Sequence, residues 1–259
     1  KWGSNPFYYF AGLHSIHPSF VQEMLNNDSF GPDDIYSNLK YLSTAGGRKY
    51  SKELITLGKN FYKKVNKGNW KPSLLVNKKN VLIIGPGQST IKYKKKLIGF
   101  ITKHKPVVFV LNAIKPFAEK YIDAHIVCHT LRLLSDINKY KKFNNKLITP
   151  YSSFSKNVKS KIKFKNVLNF GLQVKNNKFK FEKNYAVLPN SLAITYALGI
   201  CTSGQAKKIF LAGLDGYTSD SPKKFQMNEL FQNYRLENKA KALYTLTPTN
   251  YKIRFIKSI

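Results

Sequence analysis

The sequence predicts an α/β chain, a mostly parallel sheet with helices on both faces, preceded by a helical extension. Three observations predict it. The stretch Val81-Leu-Ile-Ile-Gly-Pro-Gly-Gln-Ser-Thr90 is an apolar run that breaks into two glycines and small hydroxyl residues ahead of a lysine-rich helical pattern. A parallel strand buried on both faces needs such an unbroken run, and glycines at its end let backbone amides approach an anion at a helix N-terminus. From Val81 onward, strand-length apolar runs alternate with helical patterns, as in crossover-connected parallel strands. Before the segment that leads into Val81, residues 1–62 carry helical patches and no strand pattern.

In order, helical patches run over Tyr8–Leu13, Ser19–Leu25 after His17-Pro18, and Ile35–Leu42 behind the capping pair Asp33-Asp34. Gly46-Gly47 stops the third, and Ser51–Val65 forms a fourth. Residues 1–62 are therefore expected to be a helical extension with too little apolar surface for a core of its own. Residues 63–80, with Gly68, Pro72 and repeated Asn and Lys, read as a basic linker. Residues 81–259 form the sheet domain. Its expected strands are Val81–Ile84, Val107–Leu111, Ala124–Cys128, Lys146–Ile148, Val167–Asn169, Ile209–Gly213 and Tyr251–Phe255. Helices are expected at Ser89–Lys103, Ile114–Ala118, Leu131–Asp136, Ser191–Leu198 and Asn228–Tyr244.

The chain has 259 residues, 42% of them hydrophobic, enough for a substantial core. Its net charge of +31 attracts polyanions. Arginine occurs only at Arg48, Arg132, Arg235 and Arg254, and the remaining positive charge is dispersed lysine. Recognition of phosphates and base edges favours the arginine fork, so the composition argues against a nucleic-acid partner. Cys128 and Cys201 lie far apart in apolar surroundings, which suits a reducing compartment better than a disulfide framework. No apolar run approaches the roughly 18 residues of a membrane span, and no signal-peptide pattern is present. A cytoplasmic location is expected. The sequence opens at Lys1 in what reads as the middle of a domain, so it is expected to be the C-terminal part of a longer chain.

Ligands of open parallel sheets bind at the carboxyl ends of the strands, where strand order reverses. That rule nominates Gly85, Gly87 and Ser89 in the first turn, Asn112 after the second strand, His129 and Arg132 after the third, and Asp215 after Phe210-Leu-Ala-Gly-Leu214. Asn190 and Ser191, ahead of an apolar helix, add amide and hydroxyl groups. For Asn112, Asn190 and Ser191, an ordinary helix cap is an equal reading, and Asp215 could hold a ribose, a metal or a neighbouring loop. A nucleotide or nucleotide sugar is the expected ligand, with the turn on its phosphates, Asn112 and Asp215 on base or sugar, and His129 or Arg132 as catalytic groups meeting the acceptor or the developing charge. His125 and His129 are four apart with no third ligand at metal spacing, and no metal site is assigned. His14 and His17 read as packing residues.

Two resemblances extend this reading. Trp2-Gly-Ser-Asn-Pro-Phe-Tyr-Tyr-Phe-Ala-Gly-Leu-His-Ser-Ile-His-Pro-Ser-Phe-Val21, with Gly47-Arg-Lys-Tyr-Ser51, resembles the segment after the barrel in bacterial aldolases of the 4-hydroxy-2-oxovalerate and hydroxymethylglutaryl-CoA lyase type. The resemblance implies a parent aldolase whose divalent metal and carbon-carbon lyase chemistry reside in an N-terminal barrel partner. Residues 81–259 are similar to the Rossmann-like domains of bacterial sialyltransferases, flagellin-modifying accessory factors and 6-hydroxymethylpterin pyrophosphokinase-like proteins. The similarity rests on Gly85-Pro-Gly-Gln-Ser89, Asn112, Asn190-Ser191, and Lys208-Ile-Phe-Leu-Ala-Gly-Leu-Asp-Gly-Tyr217. It implies a CMP-sugar site at Gly85, Gly87, Asn112, Ser191 and Asp215. Those sialyltransferases place a catalytic histidine downstream of the Leu-Asp-Gly-Tyr stretch, and no histidine follows His129 here. Together the resemblances imply a fused protein suited to surface-polysaccharide sugar assembly. A non-catalytic module that assembles or regulates the aldolase, a homo-oligomer, and a basic nucleic-acid binder stay open as alternatives.

Overall fold

A computed structural model describes residues 65–154, 156–162, 164, 166–175, 177–217 and 222–256. The helices expected between Tyr8 and Lys64, and the helical extension they compose, lie outside the described residues. After a one-turn helix α1 (Ser73–Val76), the chain enters β1 (Asn80–Ile84), α2 (Gln88–Lys92), α3 (Lys94–His104), β2 (Val107–Leu111) and β3 (Ala124–Ile126). Then follow α4 (Thr130–Ser135), α5 (Ile137–Tyr140), β4 (Lys146–Thr149), α6 (Lys156–Lys161) and β5 (Val167–Asn169). A small sheet comes next, β6 (Gly171–Val174), β7 (Lys180–Phe181) and β8 (Tyr185–Leu188). The chain closes with α7 (Ala193–Ser203), β9 (Lys208–Ala212), α8 (Pro222–Leu236), β10 (Leu243–Thr245) and β11 (Arg254–Phe255).

The main sheet has eight parallel strands in the order β11-β10-β9-β1-β2-β3-β4-β5. From β1 the chain steps outward to β5, leaves for the small sheet, and re-enters on the other side of β1 as β9. Strand order therefore reverses between β1 and β9.

Alternation along the strands explains the two covered faces. Leu82, Ile84, Val108, Val110, Phe210 and Ala212 pack with Leu97, Phe100 and Ile101 of α3. Val81, Ile83, Phe109, Leu111, Ile209 and Leu211 face the other way, into a core shared with Tyr196 and Ile200 of α7 and Phe231 and Tyr234 of α8. In the small sheet, β6 pairs parallel and β7 antiparallel with β8. Phe179 and Phe181 meet the Tyr234 ring edge-on, and the Tyr196 hydroxyl donates to the Phe170 carbonyl at the junction of the sheets.

The expected α/β class and both-face coverage stand, with local corrections. The helix expected at Ser89–Lys103 divides at Tyr93, whose φ/ψ of −100°/14° is not helical. Ile114–Ala118 is not a helix; Pro116 within it lacks an N–H and restricts Lys115, and only a 3₁₀ turn follows at Glu119–Tyr121. The helix expected over Asn228–Tyr244 runs from Pro222 to Leu236 instead. Beyond it the Lys241 N–H donates to the Tyr234 hydroxyl, 3.0 Å away, and Leu243–Thr245 pairs with β9. Its burial alternates with a period of two, which the sequence reading missed. The final strand shrinks to two residues. The basic stretch read as a linker is tied down from Asn66, which bridges to Leu172, and Gly68 donates its N–H to Asn184.

Candidate functional site

The carboxyl ends of β9, β1, β2 and β3 lie side by side and carry most of the nominated residues. Strand spacing places the β3 end about 10 Å from that of β1.

At the centre, two turns meet. The Gly85 N–H donates to the Ala212 carbonyl and the Gly87 N–H to the Gly213 carbonyl, each at 2.8 Å. A Cβ on Gly85 would lie 2.5 Å from the Gly213 oxygen, and one on Gly87 would lie 2.6 Å from the Asp215 carboxyl carbon. The glycines thus let the turns after β1 and β9 pass in contact. Asp215 accepts the Ser89 N–H at 2.9 Å and the Ser89 hydroxyl. A carboxylate from 126 residues away therefore stands at the start of α2, where Ser89 and Thr90 are buried. The place that sequence reading assigned to a ligand phosphate holds the chain's own anion.

Four residues that sequence reasoning passed over fix this junction. Thr90 Oγ1 donates to the Gly85 carbonyl at 3.1 Å. Thr247 Oγ1 accepts the Gly213 N–H at 3.0 Å, Thr249 Oγ1 donates to the Leu214 carbonyl at 2.5 Å, and the Asn250 N–H donates to the Asp215 carbonyl at 2.8 Å. Leu246-Thr-Pro-Thr-Asn250 carried a signal, since threonine, proline and asparagine together mark a polar turn.

Asn112 stands beside the first turn with φ at +58°, a left-handed conformation that asparagine tolerates. Its N–H donates to the Ile126 carbonyl at 2.8 Å, joining the β2 and β3 ends, and its side chain is half-buried. Farther along, Cys128 Sγ donates to the Ser191 carbonyl at 2.8 Å. That contact brings the β3 end to the entry of α7. Asn190 Oδ1 there accepts from the Leu192 N–H at 3.2 Å and from Thr195 Oγ1 at 2.7 Å, the helix-cap alternative for this residue. Ser191 is buried.

His129 is 3% exposed, and burial, with the Arg132 charge adding to it, pushes its imidazole base down to about 3. The ring is neutral at physiological pH. Arg132, in the first turn of α4, is half-buried. The structure thus joins Gly85, Gly87, Ser89 and Asp215 in direct contact, sets Asn112 beside them, and places His129, Arg132, Asn190 and Ser191 toward the β3 side. No helix among the described residues is long and apolar enough to cross a membrane.

Among solved structures, the chain is similar to the MAf glycosyltransferase from Magnetospirillum magneticum AMB-1, with a TM-score of 0.53 and 10% identity. The fold is Rossmann-like. The match covers 78% of this chain and 37% of that one, so this chain spans well under half of that protein's length. At such identity the likeness speaks for the fold alone. No protein-family model and no curated protein matches the chain.

Proposed function

We propose that the crevice at the carboxyl edge binds a nucleotide or nucleotide sugar and that the domain is glycosyltransferase-like. The observation that carries this reading is the reversal of strand order between β1 and β9, because open parallel sheets bind their ligands at that point. Asn112 meets the base or sugar. Asp215 holds the first turn through Ser89, and the positive field of the chain draws the anionic ligand toward the crevice. The sialyltransferase resemblance favours a CMP-sugar. On the aldolase resemblance, residues 1–62 belong to an aldolase fused to this domain, and the pair serves surface-polysaccharide sugar synthesis in the cytoplasm.

A second reading, a binding module without transfer activity, is favoured by the burial and low basicity of His129. Isothermal titration with CMP, CDP, UDP and GDP tests the shared claim. Micromolar binding of one nucleotide, weakened at least about tenfold in Asn112→Ala, supports the site; such a loss is about 1.4 kcal/mol. Silence for all four overturns it. If binding holds, release of sugar from the matching nucleotide sugar, and its loss in His129→Gln and Arg132→Met, decides for transfer; no turnover decides for the binding module.

A further inference from the structure

A groove of about 140 Å³ runs between α8 and the loops of the small sheet. Among the described residues, α8 contributes Gln226, Glu229, Leu230 and Asn233 to it. Steps of three and four residues put all four on one helix face. Asn177, between β6 and β7, and Pro189-Asn190, between β8 and α7, form the facing wall. Asn190 adjoins Ser191, whose carbonyl accepts from the Cys128 Sγ at the β3 end. The groove therefore opens next to the β3 side of the crevice and shares a loop with it.

The polar groups of the groove are within reach of a ligand. Asn177, Gln226 and Glu229 are exposed, and Asn190 and Asn233 are half-buried. Asn190 Oδ1 is spent on the Leu192 N–H and Thr195 Oγ1, which fixes the amide and leaves its Nδ2 hydrogens to donate. The side chains of Asn177, Gln226, Glu229 and Asn233 make no hydrogen bond or ion pair with other described residues. Three carboxamides can donate and accept, Glu229 accepts, and Asn190 donates. Their complement is a molecule with several hydroxyls, since each hydroxyl both donates and accepts.

Charge and size narrow the class. The chain carries +31, yet no Lys or Arg lines the groove and one carboxylate does. Such a lining disfavours the phosphates and carboxylates that the lysine surface elsewhere attracts. Buried Leu230 and half-buried Pro189 give apolar surface for the C–H face of a ring. A cavity of about 150 Å³ holds benzene, so the space matches one six-membered ring.

We infer that this groove binds a neutral sugar ring. That the sugar is a substrate of the domain rests on the nucleotide reading above; its binding does not. The test titrates the whole chain with D-glucose, D-galactose and N-acetyl-D-glucosamine and follows nitrogen-proton spectra. Saturable shifts of the Asn177, Asn190, Glu229 and Leu230 amides are expected with at least one of the three. D-Glucuronate should bind at least about tenfold more weakly than the best neutral sugar. Gln226→Ala combined with Glu229→Ala changes exposed positions only and should weaken that sugar at least about tenfold. Gln232→Ala, exposed on α8 outside the groove, should leave it unchanged. Glu229→Gln should retain the neutral sugar and narrow its advantage over D-glucuronate. Absence of saturable binding by all three sugars at tens of millimolar overturns the inference, as does binding that the double variant leaves unaltered. Preference for D-glucuronate, or for D-glucosamine with its ammonium, also overturns it, because the groove is then an ion site. Nucleotide titration of the same sample separates the two readings: sugar shifts without nucleotide binding overturn the crevice alone, and nucleotide binding without sugar shifts overturns the groove alone.

Discussion

Gly213→Ala tests whether the turns after β1 and β9 are held in contact as described. Gly213 has φ of +66°, and a Cβ there would lie 1.8 Å from Thr90 Oγ1 and 2.5 Å from the Gly85 oxygen. A left-handed conformation costs an L-residue about 1–2 kcal/mol. Overfilling a packed site adds about 1–3 kcal/mol. The sum predicts a loss of roughly 2–5 kcal/mol. With a urea slope of roughly 2 kcal/mol per molar, the unfolding midpoint falls by about 1–2.5 M at unchanged slope.

Thr90→Ala removes the nearest clashing atom along with its hydrogen bond to the Gly85 carbonyl. It should cost about 1 kcal/mol alone and return about 1–2 kcal/mol to Gly213→Ala in the double variant. Gly99→Ala is the control: this glycine lies inside α3 with no atom within 4 Å of the added Cβ, and the variant should gain about 0.5–1 kcal/mol. A Gly213→Ala loss below about 0.5 kcal/mol would refute the reasoning. So would a penalty that Thr90→Ala leaves unchanged.

Asp215→Ala removes the acceptor of the Ser89 N–H and hydroxyl and should cost about 1–2 kcal/mol in the same melts, with Ser89→Ala costing less because the backbone bond survives. Equal effects from the two would show that the backbone bond contributes nothing. The acid limb should be steep. Burial lowers the folded-state bases of His125 to about 4 and His129 to about 3, from 6.5, so below pH 6.5 the unfolded chain binds more protons. Stability is full above pH 6.5 and declines below it by about 1.4 kcal/mol per pH unit for each histidine, roughly 4 kcal/mol for both at pH 5. His125→Phe should remove about half of that slope, and an unaltered slope would contradict the assignment. Cys128 and Cys201 are both buried, with burial pushing the Cys201 thiol far up. Thiol reagents at pH 8 should modify neither in the native chain and both in denaturant. Rapid native labelling of either would show that its surroundings open.

Much of the candidate site was legible in the sequence because the signals there are local. Gly85 and Gly87 follow an apolar run, and Asn112 and Asp215 follow two others, so the strand-end rule alone aligned them. The roles of these residues were less legible. Gly85 and Gly87 read as phosphate contacts, whereas in the structure Gly85 gives its N–H to the last residue of β9 and Gly87 to the turn after it, and both make room for that turn. His129 read as a group facing the ligand, but its burial follows from the packing around the β3 end. Asn112 takes the left-handed conformation of a turn residue, which asparagine made readable in principle.

The sequence by itself determined the sheet. Val81–Ile84, Val107–Leu111 and Ile209–Ala212 are apolar at every position because helices cover both faces, and burial on both faces writes an unbroken run into the chain. It missed β6, β7, β8 and β10, each only two to four residues long, and in β6 and β10 a buried polar residue, Gln173 or Thr245, blurs the run as well. Tertiary structure alone decided that β9 inserts beside β1, that Asp215 crosses 126 residues to reach Ser89, and that Cys128 meets Ser191 across 63. It also decided that Asn177, Asn190 and Glu229 wall one groove. Backbone propensity and hydrophobic period act over a few residues, whereas the partner of a polar group is chosen by strand order, to which no local pattern is sensitive.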